Sequence, residues 1–412
     1  MDFNEQLVRY ADVIIQCGLN LRAGQRLWIR VDVNLPEAPP ESLRLVYTLI
    51  ERAYAHGAAN VHVQWRDQSS LLAQLLHAPA LEHFPTWEID GAMSYINQGD
   101  AYLSIRATNP DLLTTVPPER MRDYQVKIVG ISKPVNEAIS GSAINWLVVG
   151  MPVTGWARRV FPHLSDSDAL AALWQAIFAV CRVNEPDPVA AWQTHVHGLM
   201  RRSAYLTAKQ YSALHYRAPG TDLRIGLPGG HIWQGGSAQA KNGITFVPNL
   251  PTEEIFTLPH RLKVEGTVRA SMPLITTDVI EGLQLTFKDG AVVDAHADRN
   301  QALVDNMLGM DEGARRLGEV ALVANSSPIG QFGLFYDTLY DENAANHLAL
   351  GRAYRLSLEG GQSLDDEAFK AEGGNTSLIH VDFMIGSDQM DVDGILFDGT
   401  TEPVMRGGEW AF

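Results

Sequence analysis

Gln25-Arg26-Leu27-Trp28-Ile29-Arg30-Val31-Asp32-Val33 follows the turn Ala23-Gly24 and is rich in β-branched and aromatic residues, so it reads as a strand. Residues 41–55 then change period: Leu43, Val46, Tyr47, Ile50 and Ala53 recur at helical spacing, and Gly57 is placed to cap the helix end. Residues 59–65, A-N-V-H-V-Q-W, return to a strand pattern. Strand, helix and strand at this spacing make a right-handed βαβ unit, and hence a parallel sheet. Upstream, Phe3, Leu7, Val8, Ala11, Ile14 and Ile15 predict a helix over 3–17. Further apolar pieces at 101–105, 125–131 and 146–149 extend the strand reading. The first 185 residues are therefore expected to form an N-terminal open α/β sheet domain.

Such sheets often hold dinucleotides, yet neither G-x-G-x-x-G after the first strand nor G-x-x-x-x-G-K-[ST] is present. The expectation is a scaffold without a phosphate loop. His62, alone on the second strand, reads as structural. A helix is predicted over 166–182 with Ser165 or Asp166 as its N-cap, and Val183–Pro188 breaks the pattern. The boundary is placed there: residues 1–185, then 186–412. A helix over about 188–212 could equally bridge the two halves; on it His195 and His197 diverge and are expected to face solvent.

The chain has 412 residues, 46% hydrophobic and 19% charged, enough for a large core and for more than one domain. A formal net charge of −16 repels a phosphate backbone, so no nucleic-acid partner is expected. Cys17 and Cys181 are the only cysteines and lie in apolar surroundings, which suggests free thiols in a reducing compartment. The N-terminus M-D-F-N-E-Q lacks the basic start of a signal peptide, and no apolar run reaches membrane-spanning length. A cytoplasmic protein with no membrane partner is expected.

From Leu223 the texture turns to β with frequent glycine. L-P-G-G-H-I-W, residues 227–233, reads either as a pocket lining or as a hairpin with an exposed aromatic. Strands follow at 263–271, 283–288 and 290–296, with Asp289-Gly290 as a hairpin signal. In L-I-H-V-D-F-M-I-G, His380 and Asp382 are two apart and share one strand face. A polar pair inside an apolar strand must be hydrogen-bonded or metal-bound.

Four segments taken in order carry a family resemblance. They are T-E-E-I-F-T at 252–257, E-G-A-R-R-L-G-E at 312–319, D-E-N-A through H-L-A-L-G at 341–351, and H-V-D-F-M-I-G at 380–386. Together with R-Y-A-D-V-I-I near the start, the full-length chain resembles the metalloaminopeptidases of the aminopeptidase T and aminopeptidase S type. The resemblance implies a cytoplasmic homodimeric exopeptidase with two divalent metals (zinc, cobalt or manganese) acting on peptides with a free N-terminus. It also implies a C-terminal mixed α+β catalytic domain with a barrel-like β-sheet. Carried over by motif, the metal ligands are Glu254, Glu319, His347, His380 and Asp382, with Glu253 a second possibility beside Glu254. Tyr354 matches a tyrosine at the metal site and Glu342 a glutamate beside it, an acid/base or a further ligand; as the catalytic pair, they are not divided by the resemblance between acid–base work and oxyanion stabilisation. One departure is Ala345-Asn346, where the family commonly has Ser-Cys; the loop after Ser326-Ser327-Pro328 is also one residue shorter. The alternatives from other classes are a metal hydrolase of another small amide, and a non-catalytic metal- or peptide-binding protein of the same fold.

Overall fold

The structure, a computed structural model, describes residues 1–78, 85–276 and 278–412. It is a mixed α/β chain in two compact units. One comprises Met1–His195, Ser237–Pro251 and Leu334–Leu339; the other comprises Val196–Gly236, Thr252–Gly333 and Tyr340–Phe412. The chain first passes from one to the other inside the helix Pro188–Lys209. Among the described residues, no helix is long and apolar enough to cross a membrane.

The first unit is built on the parallel strands β1 (Arg26–Val33), β2 (Asn60–Asp67), β3 (Ala101–Ala107) and β4 (Trp146–Gly150). Their order is β4-β3-β1-β2, and the short segment Asn249–Leu250 pairs onto the free side of β4. Leu27, Ile29, Val31 and Val33 are fully buried on one face of β1, while Trp28 packs with Tyr102, Ala92 and Ile96 on the other. The helix Asp166–Val180 starts as expected, with the Ser165 hydroxyl accepting from the Asp168 N–H.

Two expectations fail in this unit. Residues 125–131 are not a strand but the middle of the helix Pro118–Ser140. Pro118 in the first turn and Glu119 beside it favour a helix start, and the 23-residue run outweighs a local apolar stretch whose Val126 and Val129 are exposed. His195 is half-buried: its ring meets Trp192 edge-on at 5.3 Å, and its Nδ1 lies 3.2 Å from the Arg182 guanidinium. His197 is exposed.

Among the described residues, the second unit holds an eight-stranded and a five-stranded antiparallel sheet beside a small two-stranded one. The largest runs in the order 291–296, 284–288, 264–269, 221–226, 213–218, 391–395, 401–406, 409–410. The barrel-like sheet expected from the resemblance is met by an open one: among the described residues no pairing joins the first strand to the last. Asp289 and Gly290 both adopt positive φ (51° and 77°), as a tight two-residue hairpin requires. Trp233 is buried, so the exposed-aromatic hairpin is not what forms at 227–233.

The five-stranded sheet positions the chemistry. It is a meander of β5 (Gln234–Gly235), β6 (Ile255–Thr257), β7 (Leu317–Leu322), β8 (His347–Gly351) and β9 (His380–Met384), ordered β9-β8-β7-β6-β5. Ile255, Val320, Leu322, Leu348, Leu350 and Phe383 point from one face into the core. The alternate residues form the other face.

Candidate metal centre

Register decides what that second face carries. Ala321 pairs with His347, Glu319 with Ala349, Ala349 with Asp382, and Gly351 with His380. Phe256 pairs with Ala321, and Glu254 stands two residues before it, so it starts on the same side. Two carboxylates and two imidazoles thus project from β7, β8 and β9 around the small residues Ala321, Ala349 and Gly351. Gly351 has φ 102°, and a Cβ there would lie 2.2 Å from the Ile379 carbonyl oxygen.

Glu319 stands at the centre. One of its oxygens, Oε1, lies 3.6 Å from His347 Nε2; the other, Oε2, lies 3.7 Å from His380 Nε2. Glu254 Oε2 approaches His347 Nε2 to 3.1 Å, and Asp382 Oδ1 approaches His380 Nε2 to 3.4 Å. The five side chains form two groups, Glu254–Glu319–His347 and Glu319–His380–Asp382, each with donor atoms within 4.8 Å of one another. Glu319 belongs to both. The first group is the deeper: the His347 side chain is 1% exposed against 13% for His380.

Each imidazole is aimed from behind. His347 Nδ1 faces the Ala345 carbonyl at 3.2 Å, and His380 Nδ1 faces the Arg352 carbonyl at 2.7 Å. A carbonyl can only accept, so Nδ1 carries a proton and Nε2 is the nitrogen that faces the carboxylates, free to hold a metal once it gives up its own proton, the orientation of a metal-ligating histidine. Glu254 Oε2, Glu319 Oε2 and Asp382 Oδ1 are buried without an aligned hydrogen bond. Buried carboxylate oxygens left this way are costly unless a cation lies among them, and nitrogen–oxygen donor sets of this kind suit zinc, cobalt and manganese. The residues fit a divalent metal.

The electrostatics reflect the crowding. Burial pushes the Glu319 carboxyl up to about 7, against the pull of His347 and His380. Glu342 is held well above the carboxylate range by burial and by the charges of Glu254 and Asp382. Burial alone would depress the histidines, but Glu254 and Glu319 raise His347 well above its ordinary value, and Asp382 raises His380 to about 9. Asp382 stays low despite burial because His380 and His347 face it. Tyr354 is raised by burial, then by Glu319 and Asp382; its ring packs 4.9 Å from His380 and 5.8 Å from Phe256. All seven residues expected at the centre are thus in electrostatic or direct contact. Glu253 is not in either donor group: its N–H donates to Asn343 Oδ1 at 2.7 Å, and its charge acts on Arg202.

The profile of the family described as thermophilic metalloprotease (M29) matches residues 3–410. The chain belongs to this family. Aminopeptidase T of Thermus thermophilus is 44% identical over 412 residues, covering 99% of each sequence. Aminopeptidase 2 of Geobacillus stearothermophilus is 42% identical over 100% of this chain and 98% of its own length. The solved structure of wild-type AmpT from Thermus thermophilus superposes with a TM-score of 0.92 at 43% identity, covering 100% of both chains.

Within this M29 chain the departure at Asn346 is turned away from the centre. Its Oδ1 accepts from the Val323 N–H at 2.7 Å and its Nδ2 faces Met405 Sδ at 3.4 Å, so it ties the chain just after β7 to the core. Asn343, which accepts from the Glu253 N–H, and Gln234, at the edge of the sheet, were not foreseen from sequence. The small-residue row was visible in principle, as the alternation His-Leu-Ala-Leu-Gly of β8.

Proposed function

We propose that this chain is a metal-dependent aminopeptidase that removes N-terminal residues from peptides, with two divalent cations held by Glu254, Glu319, His347, His380 and Asp382. The observation that carries the reading is Glu319, whose two oxygens serve two separate histidine–carboxylate groups. Bound there, divalent cations supply Lewis acidity that acidifies water and polarises a carbonyl.

The protein's own groups supply the rest. Glu342, made more basic by burial and by its anionic neighbours, would in its ionised form take the proton released as water adds to the scissile carbonyl and return it to the leaving amine. The Tyr354 phenol, kept protonated by the same surroundings, donates to the developing oxyanion. The carboxylates of the centre favour a substrate bearing a free α-amine. Assembly as a homodimer and a cytoplasmic setting belong to the same proposal; sedimentation at micromolar concentration tests the dimer.

The test compares Leu-p-nitroanilide with N-acetyl-Leu-p-nitroanilide, with and without chelator. The free substrate should be cleaved and the blocked one rejected by about 10⁴–10⁵-fold, since a site built around a polar group is left unpaired by an analogue lacking it. Chelation should abolish the rate, and zinc, cobalt or manganese should restore it. Equal rates on both substrates would indicate a hydrolase of other amides, and metal binding without turnover on either would indicate a non-catalytic binding protein.

A further inference from the structure

The segment Gly230-His231-Ile232-Trp233-Gln234 has no part in the proposed chemistry, yet burial and hydrogen bonds tie it down. His231 is buried, with Nδ1 donating to the Pro228 carbonyl at 2.9 Å, and Trp233 is buried beside it. The segment ends in β5, the edge of the metal-centre sheet, where Gln234 pairs with Phe256 and therefore shares its face.

Opposite this edge runs the turn that follows Tyr354. It is a single three-residue 3-10 turn, Arg355–Ser357, too short to satisfy its own carbonyls. Gln234 Nε2 donates to the Leu356 carbonyl at 2.9 Å, and the Ile232 N–H donates to the Ser357 carbonyl at 2.8 Å. The Glu359 N–H returns a bond to the Gly230 carbonyl at 2.9 Å, and His231 bridges to Leu358. Two consecutive carbonyls are thus taken by one segment. Two of these three bonds are backbone to backbone and tolerate any side chain. The Leu356 bond needs a side-chain donor of glutamine's reach on the face that also presents Phe256, whose ring touches Tyr354 at 5.8 Å.

We propose that Gln234 is a positioning residue for Tyr354: through Leu356 it fixes the turn, and with it the direction of the phenolic O–H. The inference rests on the Tyr354 role given above. A misplacement of about 1 Å costs roughly 10²-fold in rate, so an amide outside the centre can matter.

The experiment is a double-mutant cycle on Leu-p-nitroanilide with the metal-loaded enzyme, using Q234L, Y354F and the double variant. Metal content and amide hydrogen exchange are measured on each. Q234L should lower kcat by roughly 10²-fold through the displaced turn, leave KM within about twofold as for a group acting only in the transition state, and retain the parent metal content. Exchange at residues 355–359 should quicken. The double variant should be no slower than Y354F, because the glutamine has no other route to the reaction. Q234E, equal in length but lacking the donor, should repeat the pattern and serves if Q234L does not fold. A slow Y354F beside a full-rate Q234L, or losses that multiply in the double variant, would overturn the inference alone. A full-rate Y354F would remove the tyrosine's role and the inference with it.

Discussion

Glu319 faces Ala349 directly across β7 and β8, so the residue beside the shared carboxylate carries nothing beyond Cβ. Ala349 is in turn opposite Asp382 on β9. The alanine leaves lateral room for the two carboxylates it separates. In a close-packed interior, extra carbons force shifts costing about 1–3 kcal/mol. Ala349→Leu should therefore leave a folded protein with a lower melting temperature and reduced divalent metal content. Elemental analysis and a thermal melt check this; unchanged metal content would mean that the small-residue row is not what makes space.

Sharing makes Glu319 different in kind from the other ligand candidates. Glu319→Gln weakens both donor groups, whereas His380→Ala removes a member of only the outer one. Titration of the metal-free variants with zinc should show the glutamine variant impaired at both equivalents. The alanine variant should lose one and keep the one served by Glu254 and His347. Two normal equivalents in His380→Ala would exclude that histidine as a ligand.

Metal uptake should release protons. His380 is raised to about 9 and Glu319 to about 7, so in the metal-free protein both hold protons over much of the neutral range. Ligands bind metal only after deprotonation. The sign follows: apparent affinity rises with pH through about 7 and on toward about 9, and falls on acidification. Calorimetry in buffers of different ionisation enthalpy counts the protons. A pH-independent affinity over that window would contradict the assignment.

Asn346 offers a contrast within three residues of sequence. Its bond to the Val323 N–H is buried, and leaving such a donor unsatisfied costs about 1–3 kcal/mol. Asn346→Ala should lower the melting temperature without changing metal stoichiometry, although His347 is its neighbour in the chain. Loss of metal in this variant would show that the two faces of β8 are not independent.

How much of this was legible depends on distance along the chain. His380 and Asp382 are two apart on one strand, so alternation alone put them on one face. The βαβ unit of β1 and β2 was equally local. Glu254, Glu319 and His347 meet only through antiparallel register across β6, β7 and β8, and nothing in one sequence fixes that register. Motif resemblance supplied those three. The strand expected at 125–131 failed because a seven-residue window cannot see a helix started by Pro118. Gln234 and Asn343 escaped notice because their partners are backbone atoms, which leave no mark in the pattern of residue types.

Glu342 is the group on which the proton inventory turns. It follows the short helix Thr338–Asp341, and Asn343, the next residue, anchors the Glu253 N–H, so its backbone is tied to the segment that presents Glu254. Burial and the charges of Glu254 and Asp382 favour its protonated form, and bound cations would offset those charges and lower it toward the working range. Glutamine keeps the shape and the hydrogen-bonding reach but cannot shuttle a proton. Glu342→Gln should bind zinc as the parent does, and should lose roughly 10²–10⁴-fold in kcat, the span typical of general acid–base catalysis. The acidic limb of the kcat profile should flatten with it, because the titrating group is gone. A Glu342→Gln enzyme that turns over at the parent rate while holding its metal would move the proton transfer to another residue, and Tyr354 would be the next to test.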